Sequence, residues 1–258
     1  MERYLSGEEL YGESLTAQEI EQWFEEEREG YYQLAPRTNY VYGYSAINDI
    51  HGFQHLPDRP FDHVLGIGSA KGIELEPILH RARRVTILEP SEEFASDRFE
   101  YVKPQSSGLM PFADQSFDLI VCLGVLHHIP NVSTVLREIE RVLRPNGWLL
   151  LREPIVSMGD WSQRRRGLTR NERGIPLPIL RRMIQENHFE IVKETKCMFS
   201  LTSRLHYFMR GPVYCSPLVV RFDRMVCSIP IWSKSYHPKR KLDRLRPVSI
   251  YYVLRKPN

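Results

Sequence analysis

Cysteine is scarce in this chain and makes no pattern. Cys122, Cys197, Cys215 and Cys227 form no CxxC pair and stand at no zinc spacing from a histidine, so they read as reduced packing thiols. At 258 residues the core should need no disulfide or metal staple. No HExxH, EF-hand loop or carboxylate cluster argues for a metal, and a serine hydrolase would lack its GxSxG elbow. No apolar run is long enough to span a bilayer, and no basic segment leading into an apolar one opens the chain. These absences predict a soluble, cytoplasmic protein. Repeats and low-complexity linkers are missing too.

The small net charge of +3 conceals an asymmetry. Residues 151–258 carry 22 Lys and Arg against 8 Asp and Glu, while the first 150 carry 13 against 24. A basic C-terminal portion could attract phosphorylated substrates, nucleic acid or an anionic membrane face, or could neutralise the acidic half within one fold. Charge by itself assigns no partner.

The first 60 residues read as a helical cap. Thr16 can cap a helix with Glu19 three residues on, and Ile20, Trp23 and Phe24 follow at helical spacing. Tyr40–Tyr44 is aromatic-rich and suits either a cleft lining or core packing. From Phe61 the pattern alternates strand and helix. Strands are expected at 63–67, 84–88, 99–102, 117–123 and 148–151, with helices over 72–80 and after Ser133, the latter stopped by Pro145-Asn146-Gly147. A helix near 179–187, a strand near 189–195, an irregular basic stretch over 200–246 and a last strand at 249–254 complete the chain. This order implies an α/β fold, doubly wound around a mostly parallel sheet, with ligands at the strands' C-terminal ends.

One such end stands out. Val64-Leu65-Gly66-Ile67-Gly68-Ser69-Ala70-Lys71-Gly72 is a short buried strand running into a glycine-rich turn, which lets backbone N–H groups approach a ligand closely. Glu89, ending the next strand, is placed to hold two ribose hydroxyls. Together they describe a pocket for a nucleoside-bearing cofactor. The spacing departs from the dinucleotide GxGxxG, because Lys71 stands where its last glycine would be.

The runs Leu109-Met110-Pro111-Phe112-Ala113-Asp114-Gln115-Ser116-Phe117-Asp118, Leu123-Gly124-Val125-Leu126-His127-His128-Ile129-Pro130 and Leu136–Gly147 indicate the cofactor. They resemble class I S-adenosylmethionine-dependent methyltransferases, most closely the small-molecule branch with quinone-biosynthesis and sugar O-methyltransferases. The resemblance spans roughly residues 61–155. It implies a seven-stranded Rossmann-like sheet with an antiparallel last strand, a methyltransferase domain over 61–258 with an insertion at about 200–246, and S-adenosyl-L-methionine as cofactor. Carried over by position, Gly66, Gly68, Ser69 and Gly72 form the cofactor loop, Glu89 clamps the ribose, Ser106 and Ser107 contact adenine, and Leu123 flanks the methionine portion. The sequence departs from the family at Gly66, where an acid is usual, at Ala70, where a glycine is usual, and at Ser106, where an acid is often found. Glu74 is a candidate substitute for the first acid.

His127 follows the fourth strand and Glu153 ends the fifth, so both should face one cleft, with His127 as general base and Glu153 orienting it. Sugar O-methyltransferases of this type place a histidine and an acid at these positions. The alternative is that His127 and His128 shape the loop by hydrogen bonding. The expected activity is methylation of a small-molecule or glycan acceptor, most readily at oxygen. Arginines in Met158–Arg173, which contains Arg164-Arg165-Arg166, and in 200–246 suit an anionic acceptor. An RNA or protein methyltransferase and a non-catalytic cofactor-binding protein are the alternatives. Against the first, no Asn/Asp-Pro-Pro-aromatic or Pro-Cys motif is present, so nucleic acid is not the expected partner.

Overall fold

The computed structural model describes residues 1–34, 41–161, 163, 165, 167–207 and 211–258. Three helices come first: α1 (Glu2–Ser6), α2 (Ala17–Leu34) and α3 (Ser45–His51). Then follow β1 (Phe61–Ile67), α4 (Glu76–Leu79), β2 (Ala82–Leu88), β3 (Glu100–Val102), β4 (Phe117–Leu123), α5 (Val132–Val142) and β5 (Leu143–Pro154). The chain ends with α6 (Leu177–Glu186), β6 (Glu190–Phe199), α7 (Pro217–Cys227) and β7 (Pro247–Arg255).

All seven strands join one sheet in the order β3-β2-β1-β4-β5-β7-β6. The first five are parallel, while β7 lies antiparallel between β5 and β6. Every residue of β4 is buried, as expected of a strand covered on both faces. On one face, Leu65, Ile120, Leu149 and Leu151 pack with the apolar sides of α5 and α6. On the other, Val64, Leu119, Val121 and Leu150 pack with α3 and with Val220 of α7.

Most expected elements are present, with instructive shifts. The helix expected over 72–80 is a 3-10 turn followed by the single turn of α4. Gly72 adopts φ +68° and Pro77 stands in the first turn, so the helix starts late, and β2 already begins at Ala82. Ser133 does not cap α5. Asn131 takes that position, and the Ser133 N–H and hydroxyl both donate to the Glu13 carboxylate brought over by the N-terminal segment. The Pro-Asn-Gly run follows the end of α5 but lies inside β5, because Leu143 already pairs with Phe117 before a bulge. The stretch 200–246 is not wholly irregular, since it contains α7, whose Val220, Asp223 and Cys227 turn inward. The Thr16 capping box forms as expected: Thr16 Oγ1 accepts from the Glu19 N–H at 3.3 Å, and the Glu19 carboxylate accepts from the Thr16 N–H at 2.8 Å.

Candidate functional site

The C-terminal ends of β1, β2, β4 and β5 open into a cavity of about 650 Å³. Such openings arise where parallel strands stop and their connecting helices diverge to opposite faces. α2 covers this one. Trp23 is buried and donates its indole N–H to the His128 carbonyl at 2.7 Å, while Phe24 and Glu27 reach the cavity wall.

The glycine-rich turn forms one wall. The Gly68 N–H donates to the Leu88 carbonyl at 2.8 Å, tying the turn to the end of β2. Gly68 has φ +61°, and a Cβ there would lie 2.7 Å from Val125 Cγ2, so the close approach of turn and β4 loop requires glycine. Glu89 is buried; its carboxylate accepts from the Ala70 N–H at 3.0 Å and the Ser91 N–H at 3.2 Å. Burial pushes the Glu89 carboxyl above its ordinary pKa, opposed by those two N–H donors. The acid and the turn anticipated as one pocket do touch.

The other predicted positions divide. Gly68, Ser69, Glu89, Ser106 and Leu123 line the cavity. Gly66 and Gly72 stand behind it: a Cβ on Gly66 would fall 2.5 Å from Ser69 Oγ, and one on Gly72 would fall 2.6 Å from Phe99. Ser106 hydrogen-bonds Glu21 of α2, whereas Ser107 is exposed and holds Asn131 through its carbonyl. Of the aromatic segment, Tyr42 and Tyr44 line the cavity, and Tyr40 lies outside the described residues. Arg165 bonds backbone carbonyls of its own loop, including Arg170 at 2.9 Å; Arg164 and Arg166 lie outside the described residues. None of the described residues of 200–246 lines the cavity.

His127 and Glu153 meet at a 2.8 Å contact between Nδ1 and Oε2. Glu153 is fully buried, and its carboxylate also accepts the N–H groups of Val125, Leu126 and His127 at 2.9, 2.8 and 3.2 Å. On the other side of the ring, Nε2 lies 3.6 Å from Glu172 Oε1. Burial opposes a charge on His127, but the Glu153 and Glu172 carboxylates outweigh it and raise the imidazole to about 9. Glu172 is held down at about 2: burial works against its charge, and His127, His128 and the Thr169 N–H overcome it.

Sequence reasoning missed the residues that enclose this ring. Glu172 and Thr169 belong to a loop without periodicity, and only folding carries them to His127 and His128 respectively. Arg173, fully buried, donates to the Tyr11, Leu126, His127, Ile129 and Pro130 carbonyls and so anchors that loop to the β4 loop. Glu27 of α2 completes the cluster, contacting His128 Nδ1 at 2.8 Å and bonding Thr169. His127, His128 and Glu172 bring one metal-ligating atom each within 4.8 Å of one another. Glu153, Glu27 and the interior contacts above already give these three side chains partners.

The sheet order, with five parallel strands and an antiparallel seventh, is the Rossmann-like fold shared with class I methyltransferases. Residues 65–151 match the family described as a methyltransferase domain. Among curated proteins, the 27-O-demethylrifamycin SV methyltransferase of Amycolatopsis mediterranei (strain S699) is 35% identical over 114 residues, covering 37% of this chain and 40% of that protein. The uncharacterised methyltransferase YcgJ of Bacillus subtilis (strain 168) is 37% identical over 103 residues, covering 36% and 41%. The chain thus spans about two-fifths of the length of these relatives. In fold it is similar to the Burkholderia thailandensis 1,6-didemethyltoxoflavin-N1-methyltransferase, solved with 1,6-didemethyltoxoflavin and S-adenosylhomocysteine. That match has TM-score 0.54 at 18% identity and covers 95% of this chain and 92% of that one. The [4+2]-cyclase SpnF is similar at TM-score 0.58 and 15% identity, covering 96% and 99%.

Proposed function

We propose that this protein is an S-adenosylmethionine-dependent methyltransferase that transfers a methyl group to the hydroxyl of a small molecule or glycan. One observation carries the reading: the turn bound to Glu89 and the ring of His127 face the same cavity, so a cofactor site and a candidate base share one chamber. The residues present fit the cofactor. Close packing keeps the Gly68 position free of a side chain, Glu89 stands at the end of β2, and Ser106 is on the wall beyond it. Proteins of similar fold solved with S-adenosylhomocysteine, such as the N-methyltransferase NodS of Bradyrhizobium japonicum WM9 (14% identity, TM-score 0.54), are consistent with this.

When bound, S-adenosylmethionine supplies an electrophilic methyl group on a sulfonium, and the protein's task is alignment and exclusion of water. A hydroxyl acceptor is scarcely ionised near neutrality and needs a base. His127 Nε2 takes that proton. Glu153 holds Nδ1–H and stabilises the imidazolium, while its backbone bonds keep the ring from turning. Glu172, 3.6 Å from Nε2, is beyond full hydrogen-bond range and marks the side from which the hydroxyl enters. α2 and the loop ending at Arg173 close the chamber over it.

Calorimetry with S-adenosylmethionine and S-adenosylhomocysteine tests the cofactor, with binding of both expected. Incubation with isotopically labelled methyl donor and candidate acceptors, followed by mass spectrometry of the product, tests the transfer and locates the methylated atom. Failure to bind either compound would overturn the reading and favour a non-catalytic protein on this fold.

A further inference from the structure

The cavity contains two opposite charges that the methyl-transfer chemistry leaves unused. Arg152, the residue before Glu153 on β5, is 6% exposed and lines the cavity. Its Nη1 is buried without a hydrogen-bond partner among the described residues. Its guanidinium stacks 4.2 Å from the Tyr44 ring centroid, and Nη2 would lie 3.6 Å from a Cβ placed on Gly124. A buried cation with no ion pair among the described residues is costly, so its retention calls for a ligand. Glu74, on the 3-10 turn after the glycine loop, lines the same cavity. Burial pushes its carboxyl up to about 7, opposed by the Ser69 hydroxyl and by Arg152.

The position of these charges is informative. Gly66 stands where an acid is usual in the family that the sequence resembles, and Ser69 and Leu75 fill the space its side chain would need. Glu74 faces the same Ser69 hydroxyl. Arg152 pairs in the sheet with Leu123, so it stands next to the β4 end of the turn. Glu89 lies on the other side, directly after β2.

We infer that Glu74 and Arg152 together bind the amino-acid end of the cofactor, Glu74 accepting from its ammonium and Arg152 donating to its carboxylate. The acid absent from β1 has moved to the following turn, and a guanidinium has been added beside it. This rests on the cofactor reading above.

The test compares S-adenosylhomocysteine with 5′-methylthioadenosine, which keeps the nucleoside and thioether but has no amino-acid end. Calorimetry on the full chain should show Glu74→Gln and Arg152→Met each weakening S-adenosylhomocysteine ten- to hundredfold while 5′-methylthioadenosine stays within twofold. Retained 5′-methylthioadenosine binding certifies the fold of each variant. Should a variant fail to fold, the wild-type protein answers through decarboxylated S-adenosylhomocysteine, expected to bind at least tenfold more weakly than the parent compound. Equal weakening of both ligands, unchanged S-adenosylhomocysteine affinity, or equal wild-type affinity for the compounds with and without the amino-acid end would overturn the inference alone. A wild-type protein that binds none of them overturns the cofactor reading, and this inference with it.

Discussion

Glu153 holds the His127 ring and the backbone beneath it with a single carboxylate, accepting Nδ1 at 2.8 Å together with the N–H groups of Val125, Leu126 and His127. Ring orientation and loop conformation are therefore coupled. Shaping the loop and the proposed catalytic role would therefore rest on the same anchor.

Glu153→Gln should consequently produce two deficits. An amide presents an NH₂ group where the carboxylate now faces N–H donors, which leaves at least one buried donor unpaired, at about 1–3 kcal/mol. Turnover should fall more than a hundredfold, because His127 loses the charge that supports its imidazolium. His127→Ala should lower turnover similarly while S-adenosylhomocysteine affinity stays within a few-fold. Chemical denaturation, turnover and calorimetry on both variants separate the effects. Near-normal rates in both would remove His127 and Glu153 from the mechanism.

The pH dependence follows from two carboxylates facing one imidazole. The free base must be the neutral ring, and His127 is raised to about 9, so kcat/KM should climb with pH up to about 9 rather than levelling near 6.5. Glu172→Gln removes one stabilising charge and should shift that limb to lower pH. The same interaction stabilises the fold: with a folded pKa above the unfolded value, its contribution is fully present below about 6.5 and disappears as pH rises through about 9. Rate profiles of wild type and Glu172→Gln check the first expectation, and thermal melts across pH 6–10 the second. A limb at the same pH in both proteins would exclude Glu172 as its cause.

What was legible in the sequence was what period and punctuation encode. Period-two and unbroken apolar runs located all seven strands, the glycines of 66–72 marked the turn, and Glu89 and Glu153 were visible because each ends a strand. The length of α4 was hidden, because Pro77 and an early β2 override a plausible helical stretch. α7 was missed although Ser216-Pro217 opens it, since aromatic and basic residues around it masked its short apolar face. Glu27, Glu172 and Arg173 could not be read, because their partners lie far along the chain and depend on how α2 and the loop after β5 close. Arg152 was in plain view beside Glu153. Its significance lies in burial without a hydrogen-bond partner for Nη1 among the described residues, which spacing does not express.

Arg173 carries the closure. A fully buried guanidinium donating to five carbonyls leaves most of them unpaired when truncated, so Arg173→Met should cost about 3 kcal/mol or more. Denaturant unfolding measures this. A loss below 1 kcal/mol would mean that the loop is held mainly by Thr169 and Asn171 on Glu27.

Glu89 should behave differently from Glu74. Its carboxylate bonds the turn at Ala70, which the proposed cofactor reading assigns to the nucleoside end, so Glu89→Gln should weaken S-adenosylhomocysteine and 5′-methylthioadenosine equally, by about ten- to hundredfold. Calorimetry with both ligands checks it. A selective loss of S-adenosylhomocysteine would reverse the assignment of the two ends of the cavity.

Restoring the acid at position 66 should not help. A side chain there begins 2.5 Å from Ser69 Oγ and 3.1 Å from Leu75 Cδ1, and both neighbours are buried. Gly66→Asp therefore combines overpacking with burial of a charge, expected to cost about 2–4 kcal/mol. Adding Ser69→Gly opens the space the new carboxylate needs and should recover part of that stability. If Glu74 already serves the ligand's ammonium, the double variant should bind S-adenosylhomocysteine no more tightly than wild type, but should rescue binding when Glu74→Gln is also present. Thermal melts and calorimetry on the single, double and triple variants follow both quantities. Tighter binding by Gly66→Asp alone would mean that the position had room for an acid and that Glu74 had not taken over its role.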